Sequence, residues 1–520
     1  MPLTSIDGYL ADESRMCGSA DSAVAIHTES ELVSVLRAAQ AQRTPITTQG
    51  GLTGIAGAGV PQGGQVVSMR DMRGLLGLRE DEHGFCLRAE PGCTLDGIRQ
   101  TLLRLDAVDT QGWRHASIKA WEKLCDLPPH MFAPDLTETG ATLGGVVSTN
   151  GSGARSYYYG AARNHITGLR VVLPGGDILA LQRGTTYAHG LDFTLFAESG
   201  RDYRGKLPSY GLPKVKHAAG LYASPDMDMI DLFIGSEGIL GVISEIEIRL
   251  LPRPEDVCGV TAFLPSEDAA LQLVDRVRQS PLVAYAIEYF SEQALDLLRD
   301  PETQTGSVRI PKIEDHWRTA LYVELDTSAS EALADLVGLL EGVGGNESDT
   351  WLAEGYDEIE TLKGIRHAIP ERINHWIAEQ RKCWPGVTKL GTDLAVPDAC
   401  LAEVMRMYHT GLHAATLPYV IFGHIGDNHL HVNILPPDED AWHRGKTLYA
   451  RWAERIVKMG GTVSAEHGIG KLKTEMLRTQ FGNAGIDQMR KVKTVFDPLC
   501  LLNQGTLFTH RAKGECDDDV

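Results

Sequence analysis

The segment QGGLTGIAGAGVPQGG, residues 49–64, contains seven glycines in sixteen residues. Glycine weakens a helix but is favoured where the backbone turns or closely approaches another group, so this segment is predicted to be an ordered loop. It follows a β-α-β pattern in which AVAIH and TPITT are strands, and Thr28-x-x-Glu31 is a capping box that opens the helix between them. A further strand, QVVSM, comes after the loop. The chain is therefore expected to bring bare backbone close to another group at the end of a strand.

Residues 134–153, which end in LGGVVSTNGSG, also read as a loop. Backbone N–H groups in such loops can converge on one anion, and two of these loops could wrap one dinucleotide. The first loop has neither the P-loop spacing nor a Rossmann G-x-G-x-x-G that opens a helix. From the glycines alone, phosphate or pyrophosphate binding and a structural cluster of turns both stay open.

Three histidines and an aspartate lie within IFGHIGDNHLHVN, residues 421–433. Apolar strands flank a four-residue turn, so a hairpin would bring His429 and His431 back beside His424. Side chains at i and i+2 share a strand face, so His429 and His431 are predicted to point the same way. Three neighbouring imidazoles suit Zn²⁺, Mn²⁺ or Fe²⁺. The alternative is a set of surface or hydrogen-bonded histidines.

Composition narrows the class of protein. A chain of 520 residues exceeds the size at which one core stops growing, so two or three domains are expected. A net charge of −20 would repel nucleic acid and anionic lipid. No apolar run is long enough for an integral membrane segment and no signal peptide is evident, which favours a protein that is cytoplasmic or peripheral to a membrane. Nine scattered cysteines without a C-x-x-C pair argue against disulfides, a cysteine zinc site or an internal iron–sulfur cluster.

Sequence periodicity predicts the order of elements. LRVVLPGGDILAL, residues 169–181, is a predicted hairpin, 184–228 is an ordered excursion over a site, and PRPED, 252–256, is a domain boundary. Later helices are predicted near 266–279, 291–299, 329–342, 398–415 and 438–458, with strands near 319–325 and 417–435. Residues 476–520 are predicted to be helical and then irregular.

Several long motifs resemble the FAD-binding domain of the vanillyl-alcohol oxidase / p-cresol methylhydroxylase (PCMH) superfamily. They are QGGLTG, AEPGCTLDGIRQTL, TLGGVVSTNGSGARSYYYGAARNHITGLRVVLPGG and DLFIGSEGILGVISEIEIRLLP. Nearly the whole chain is similar to its D-lactate and D-2-hydroxyacid dehydrogenases related to the glycolate oxidase D subunit. The resemblance implies an α+β fold with a two-part PCMH-type FAD-binding domain at 1–252. An α/β cap (substrate) domain with an antiparallel sheet and the metal site would follow at 253–475, and a C-terminal segment, 476–520, would return to the FAD domain.

The resemblance also implies which residues contact FAD. No histidine occurs in 49–64, where covalently flavinylated members carry one, so non-covalent FAD is expected. The implied FAD-contacting residues are Gln49, Gly50, Gly51, Leu52, Thr53 and Gly54 in the first loop; Pro134, Asp135, Thr142, Gly144, Gly145, Asn150, Ser152 and Gly153 in the second segment, followed by Tyr159 and Gly160; Glu237, Gly238 and Ile243; and Asn503.

The hairpin and the turn SAEHGIGKLK, residues 464–473, resemble the family's G-H-x-G-D-G-N-L-H-x-N and S-G-E-H-G-I-G motifs. The resemblance implies that His424, His431 and Glu466 bind a divalent metal, with zinc expected and manganese or iron as alternatives. It implies that His467 is the catalytic base. His429 replaces the family's asparagine, and it could be a fourth ligand, a partner behind the ligands or a bystander; the last two are favoured.

Four further positions bear on the substrate. By resemblance, Arg366 and Lys389 would bind a substrate carboxylate and Asn433 would contact the substrate; the alternative is that the two cations are surface residues. Dicarboxylate-selective members place a hydroxyl-bearing residue where this chain has Pro370. That difference favours a monocarboxylate such as D-lactate over D-2-hydroxyglutarate.

Two smaller departures concern the flavin loops. Gln504 replaces a proline, and Leu52 stands where polar residues or glycine are common. Neither change removes an obvious donor to the pyrophosphate, because backbone N–H groups supply most of those contacts.

The sequence therefore predicts an FAD- and metal-dependent dehydrogenase of a small D-2-hydroxy acid, D-lactate or glycolate. Its electrons would pass to an external acceptor: an electron-transfer flavoprotein, a quinone or an iron–sulfur subunit. No nucleic acid partner is expected, and a homodimer stays open. The alternatives are a D-2-hydroxyglutarate dehydrogenase, a non-catalytic flavoprotein subunit, a zinc hydrolase and an alkyl-glycerone-phosphate synthase-like enzyme.

Overall fold

The computed structural model of the chain describes residues 5–299 and 312–509, apart from the side chains of 365–367. The part of the predicted C-terminal tail beyond residue 509 lies outside the described residues. Among the described residues, no helix combines the length and the apolar character needed to cross a bilayer.

The N-terminal half contains a three-stranded parallel sheet, ordered β1-β3-β2, and a six-stranded antiparallel sheet. The larger sheet is ordered β4-β5-β11-β7-β8, and the short β6 also pairs with β11. A separate hairpin, β9–β10, lies within the excursion. The strands are β1 (Ser22–Ala25), β2 (Ile46–Gln49), β3 (Gln65–Ser68), β4 (Leu75–Asp81), β5 (Gly84–Ala89), β6 (His130–Met131), β7 (Ile166–Val172), β8 (Ile178–Gln182), β9 (Asp192–Phe196), β10 (Asp202–Lys206) and β11 (Val242–Pro252).

Five helices accompany these strands: α1 (Glu29–Gln42), α2 (Leu95–Leu103), α3 (His115–Cys125), α4 (Leu143–Thr149) and α5 (Ser156–Tyr159). The predicted cap of α1 is confirmed, because the backbone N–H of Glu31 donates to the Thr28 hydroxyl at 3.2 Å. Leu32 and Leu36 then lie on the buried face of this helix. The prediction of a loop throughout 134–153 is wrong, because residues 143–149 form the helix α4. This helix ends at Asn150, whose backbone is left-handed.

An eight-stranded sheet, ordered β15-β12-β14-β13-β18-β19-β16 with β17 also paired to β19, dominates the C-terminal half. Its described strand pairs are antiparallel, which confirms the predicted sheet type. The strands are β12 (Val257–Leu264), β13 (Ala284–Phe290), β14 (Thr319–Asp326), β15 (Thr350–Glu354), β16 (Leu390–Gly391), β17 (Leu394–Ala395), β18 (Tyr419–His424) and β19 (His429–Ile434).

Helices cover both faces of this sheet: α6 (Glu267–Gln279), α7 (Glu292–Arg299), α8 (Ala332–Glu341), α9 (Gly355–Cys383), α10 (Leu401–Ala414) and α11 (Glu439–Lys458). The five predicted helices appear within a few residues of their expected bounds. The long α9 was not predicted, because Pro370 and two glycines interrupt its pattern. With α7, it buries an aromatic and aliphatic cluster against one sheet face, which includes Phe263, Phe290 and Phe422.

The C-terminal segment returns to the N-terminal sheets, as predicted. α12 (Thr474–Phe496) bends at Gly482, and the chain beyond it forms a parallel bridge between Leu502 and Ile46 at the end of β2. The buried Lys493 ammonium donates to the carbonyl oxygens of Ile239 and Leu502 and pairs with Asp497. These bonds fix the segment that carries Asn503 beside the first glycine-rich loop.

Leu321→Ala should destabilise the protein by about 2–5 kcal/mol, because Leu321 is fully buried in the central strand β14 and truncation leaves a cavity. The matched control is Leu352→Ala on β15 of the same sheet, where the leucine is 51% exposed. Denaturant unfolding followed by tryptophan fluorescence should show a lower midpoint for the first variant alone. Equal midpoints for the two variants would contradict this packing.

Candidate active site

The histidine hairpin forms as predicted. β18 and β19 flank a short turn, with His424 opposite His429 and Phe422 opposite His431 in the register. Asn428 closes the turn in the left-handed region, with φ near +51°. The imidazoles of His429 and His431 lie on one sheet face, and their ring centroids are 4.5 Å apart.

Glu466 completes a compact set of donors with these imidazoles. Its Oε2 lies 3.2 Å from Nε2 of His424 and 3.6 Å from Nδ1 of His429. One ligand atom from each of His424, His429, His431 and Glu466 lies within 4.8 Å of the other three. Nitrogen and carboxylate donors at this spacing suit a borderline divalent metal, so the residues fit such an ion.

The environment of His424 favours this use. Its Nδ1 lies 2.6 Å from Oε1 of Glu288, which leaves Nε2 facing the donor set. A carboxylate behind a ligating imidazole fixes its orientation and increases its basicity. Burial alone would lower the pKa of His424, yet Glu288 raises it to about 9. The carboxylates of Glu288 and Glu466, one on each ring nitrogen, therefore favour a positive charge at this position.

Burial favours the neutral form of the other two imidazoles. Burial lowers the pKa of His429 to about 4 and holds the pKa of His431 well below its ordinary value. Nδ1 of His431 lies 3.4 Å from the carbonyl oxygen of Thr392, which directs Nε2 inward. A neutral imidazole has a lone pair available for a metal without first losing a proton.

Asp393 holds the turn that carries Glu466 and His467. Its buried carboxylate accepts the backbone N–H groups of both residues at 3.1 Å and pairs with the Lys473 ammonium at 2.7 Å. Nδ1 of His467 lies 3.3 Å from the same carboxylate. Burial opposes ionisation, but Lys473 and His467 hold the pKa of Asp393 well below its usual range.

Glu237 fixes the other end of this turn. The backbone N–H groups of Ile469 and Gly470 donate to its two carboxylate oxygens, each at 2.7 Å. The N–H of Lys471 donates to the carbonyl oxygen of Ala56 in the first glycine-rich loop. The predicted metal and base residues therefore lie against the predicted flavin loops.

The two predicted flavin segments also contact each other. The Gly51 N–H donates to the Thr142 hydroxyl at 3.2 Å. A Cβ at Gly153 would lie 1.8 Å from the carbonyl oxygen of Asp135, so only glycine fits there. Asn503 joins them from the C-terminal segment, since its Oδ1 accepts the Thr48 N–H and its Nδ2 donates to the Glu237 carbonyl.

Four residues with left-handed backbone and one unpaired buried hydroxyl lie in the same region. Leu52, Asn150, Glu237 and Asn503 all have φ between +43° and +59°. Such conformations cost energy outside glycine and occur preferentially at functional sites. The buried hydroxyl of Ser152 has no hydrogen-bond partner among the described residues. A glycine-lined region with unpaired polar groups fits a dinucleotide such as FAD.

Some predicted FAD-contacting residues have other neighbours. Ile243 pairs with Val171 inside the six-stranded sheet, and Tyr159 stacks on Tyr285 of β13 with ring centroids 5.7 Å apart. The remaining predicted residues lie at the end of β2, in the first loop, in the segment around α4 or beside Asn503: Gln49, Gly50, Thr53, Gly54, Pro134, Gly144, Gly145, Gly160 and Gly238.

Two of the predicted substrate residues, Asn433 and Lys389, lie on or next to strands of the histidine hairpin's sheet. Asn433 lies two residues after His431 on β19 and is buried. Lys389 comes directly before β16, which pairs with β19. Its side chain has no hydrogen bond or ion pair among the described residues, and burial lowers its pKa. Arg366 and Pro370 belong to α9, and the side chain of Arg366 lies outside the described residues.

Lys216 is a site residue that sequence reasoning missed. It belongs to the 184–228 excursion, and its ammonium lies 3.1 Å from Oε2 of Glu466 and 3.7 Å from Asp427. It also donates to the Gly153 carbonyl at 3.4 Å. Asp393 and Glu288 were missed as well. No short motif could have identified these residues, because their partners are distant in the sequence.

Two protein families match this chain. The FAD binding domain family matches residues 20–110 and 127–182, and the family of C-terminal domains of FAD linked oxidases matches 253–507. Together they cover most of the chain, including both glycine-rich segments, the hairpin and the 464–473 turn. The fold and the site therefore define a flavin-dependent oxidoreductase.

The similar curated proteins agree with this class. The chain is 28% identical to the D-2-hydroxyglutarate dehydrogenase of Stutzerimonas stutzeri, over 97% of this chain and 94% of the relative. It is 26% identical to glycolate oxidase subunit GlcD of Bacillus subtilis (95% and 90%) and to the D-lactate dehydrogenase of Anaerostipes hadrus (96% and 92%). With its two domain matches, the chain belongs to the FAD linked oxidases.

A solved structure shares the fold. An alkyldihydroxyacetonephosphate synthase superimposes with a TM-score of 0.61 at 16% identity, over 94% of this chain and 76% of that one. At this identity the likeness concerns the architecture alone.

Asp393→Asn should loosen the turn that carries Glu466 and His467, because an amide oxygen replaces a charged acceptor. Backbone amides at 466 and 467 should exchange hydrogen about ten- to a hundredfold faster, since a hydrogen bond to a charged group contributes about 1.5–3 kcal/mol. Asp296→Asn, at a residue with a 62% exposed side chain, is the control and should leave those amides unchanged. Unchanged exchange in both variants would contradict the role of Asp393.

Proposed function

We propose that the chain oxidises a small D-2-hydroxy acid, D-lactate or glycolate, to the 2-oxo acid with non-covalent FAD and a divalent metal. One observation carries the proposal. The metal-binding atoms of His424, His431 and Glu466 lie beside His467, and the turn that carries His467 is hydrogen-bonded to Glu237 next to the flavin loops. A hydroxy acid needs both an acceptor for its Cα hydride and a base for its hydroxyl proton. This arrangement would place both at one substrate.

The residues of the chain divide the chemistry as follows. When bound, FAD supplies the hydride acceptor at N5, and a divalent metal supplies a Lewis acid that lowers the pKa of the substrate hydroxyl. His467 takes the hydroxyl proton at Nε2, because its Nδ1 faces Asp393. The Asp393 carboxylate holds that tautomer and stabilises the imidazolium. The Cα–H bond breaks as the carbonyl forms, and its electron pair leaves with the hydrogen.

The substrate carboxylate is assigned to Lys389, with Arg366 from α9 as its second cation. Lys389 suits this role because its half-buried ammonium has no carboxylate partner among the described residues. Asn433 would orient the substrate between Lys389 and the donor set. Pro370 offers no hydroxyl for a second carboxylate, which supports a monocarboxylate substrate. The electrons then leave to an external acceptor: an electron-transfer flavoprotein, a quinone or an iron–sulfur subunit.

Anaerobic titration tests the reaction directly. The purified protein should show a flavin spectrum that D-lactate or glycolate bleaches and L-lactate does not. A chelator should abolish the bleaching, and Mn²⁺ or Zn²⁺ should restore it. D-2-hydroxyglutarate should act more weakly. A flavin band that is indifferent to all of these acids would instead identify an electron-transfer subunit.

Glu466→Gln should weaken metal binding more than about a hundredfold, because removing a ligand exceeds the 10–100-fold effect of altering a group behind one. Glu267→Gln is the matched control. The carboxylate of Glu267 also lies beside an imidazole, that of His409, but neither residue belongs to the donor set. Metal analysis after dialysis should show loss in the first variant only. Full metal content in Glu466→Gln would contradict the assignment.

Lys389→Met should raise KM about 10–100-fold with a smaller change in kcat, because an ionic contact present in both ground and transition states is lost. Lys382→Met removes a lysine whose side chain is 68% exposed and should leave both constants unchanged. Steady-state kinetics with an artificial dye measures both. A fall in kcat with KM unchanged would show that Lys389 does not bind the carboxylate.

A further inference from the structure

His429 distinguishes this chain from the family motif, which has asparagine at that position. The residue is fully buried and lies directly opposite His424 in the hairpin register. Its ring centroid is 5.5 Å from that of His424 and 4.5 Å from that of His431. A third imidazole therefore belongs to the donor set.

The neighbours of His429 leave its Nδ1 facing the other atoms of the donor set. Nε2 lies 3.0 Å from Oδ1 of Asp393, and Nδ1 lies 3.6 Å from Oε2 of Glu466. Neither ring nitrogen has a well-aligned hydrogen-bond partner among the described residues. A buried polar group in that state is costly unless something else satisfies it.

The three imidazoles share one arrangement. In each, one ring nitrogen faces an acceptor behind the hairpin: Glu288 for His424, Thr392 for His431 and Asp393 for His429. The opposite nitrogen of His424 lies 3.2 Å from Oε2 of Glu466, and that of His429 lies 3.6 Å from it. Acceptors behind the imidazoles are typical of histidines that ligate metals. An imidazole that only supported its neighbours would not need its free nitrogen to lie within 4.8 Å of theirs.

We propose that His429 is a fourth protein ligand, through Nδ1, and that the site is a three-histidine, one-glutamate metal centre. This inference rests on the proposed metal dependence. Four protein ligands would fill the tetrahedral shell of Zn²⁺, which in catalytic sites keeps one position open. A hydroxy acid that chelates through two oxygens needs two more positions. The centre therefore favours a six-coordinate ion such as Mn²⁺, Fe²⁺ or Co²⁺ over zinc.

The test counts imidazoles on the metal in the full-length, FAD-loaded protein. After reconstitution with Co²⁺, X-ray absorption fine structure should show three imidazole rings in the wild type and two in His429→Asn, which restores the family residue. The cobalt bands of the wild type in visible absorption should be weak, as for six-coordinate ions, and not intense, as for tetrahedral ones. His409→Asn is the control, because His409 also lies beside a carboxylate but outside the donor set, and it should keep three rings.

The outcomes separate this inference from the proposed function. Two rings in the wild type would overturn the role of His429 and leave the metal-dependent dehydrogenase intact. Absence of bound cobalt in a protein whose flavin is still reduced by D-lactate would overturn the metal dependence itself. If His429→Asn fails to fold, the wild-type count decides alone. Three rings in both the wild type and His429→Asn would also contradict the proposal.

Discussion

The ionised carboxylate of Asp393 organises the site. It is almost fully buried and accepts hydrogen bonds from Ser464, Glu466, His467 and Lys473. It also faces the ring of His429. A buried charge is tolerated only when it is paired and hydrogen-bonded in this way. Because these donors come from the 464–473 turn and the facing imidazole of His429 comes from the hairpin, the carboxylate sets the relative positions of these two pieces of chain.

A second buried carboxylate connects this assembly to the flavin loops. Glu237 accepts two backbone N–H groups of the same turn, and burial raises its pKa to about 7. The turn is thus held at one end from the eight-stranded sheet and at the other from the N-terminal half. His467 lies between the two anchors. Its position relative to the flavin region therefore depends on hydrogen bonds to carboxylates from both halves of the chain.

The local patterns of the sequence predicted much of this. The hairpin, the capped α1 and five of the helices around the second sheet follow from short-range periodicity, whereas the return of the C-terminal segment was implied only by the family resemblance. The long α9 escaped prediction because Pro370 interrupts it, and α4 escaped because glycines open it; packing overrides propensity at both. Lys216 and Asp393 could not be predicted at all. Their partners lie up to 250 residues away in the sequence, where only the tertiary fold brings the charges together.

Charge balance explains why the excursion belongs to the site. Glu288, Asp427 and Glu466 bring up to three negative charges beneath the flavin loops, and Lys216 supplies one positive charge among them. Burial lowers the pKa of Lys216, but Glu466 and Asp427 raise it above its ordinary value, so the ammonium keeps its proton. A divalent ion that displaces the proton of His424 would supply the other two positive charges and bring the buried group close to neutrality. The 184–228 excursion therefore contributes to the charge balance of the site through Lys216. Without this lysine, one buried carboxylate would lack a positive partner.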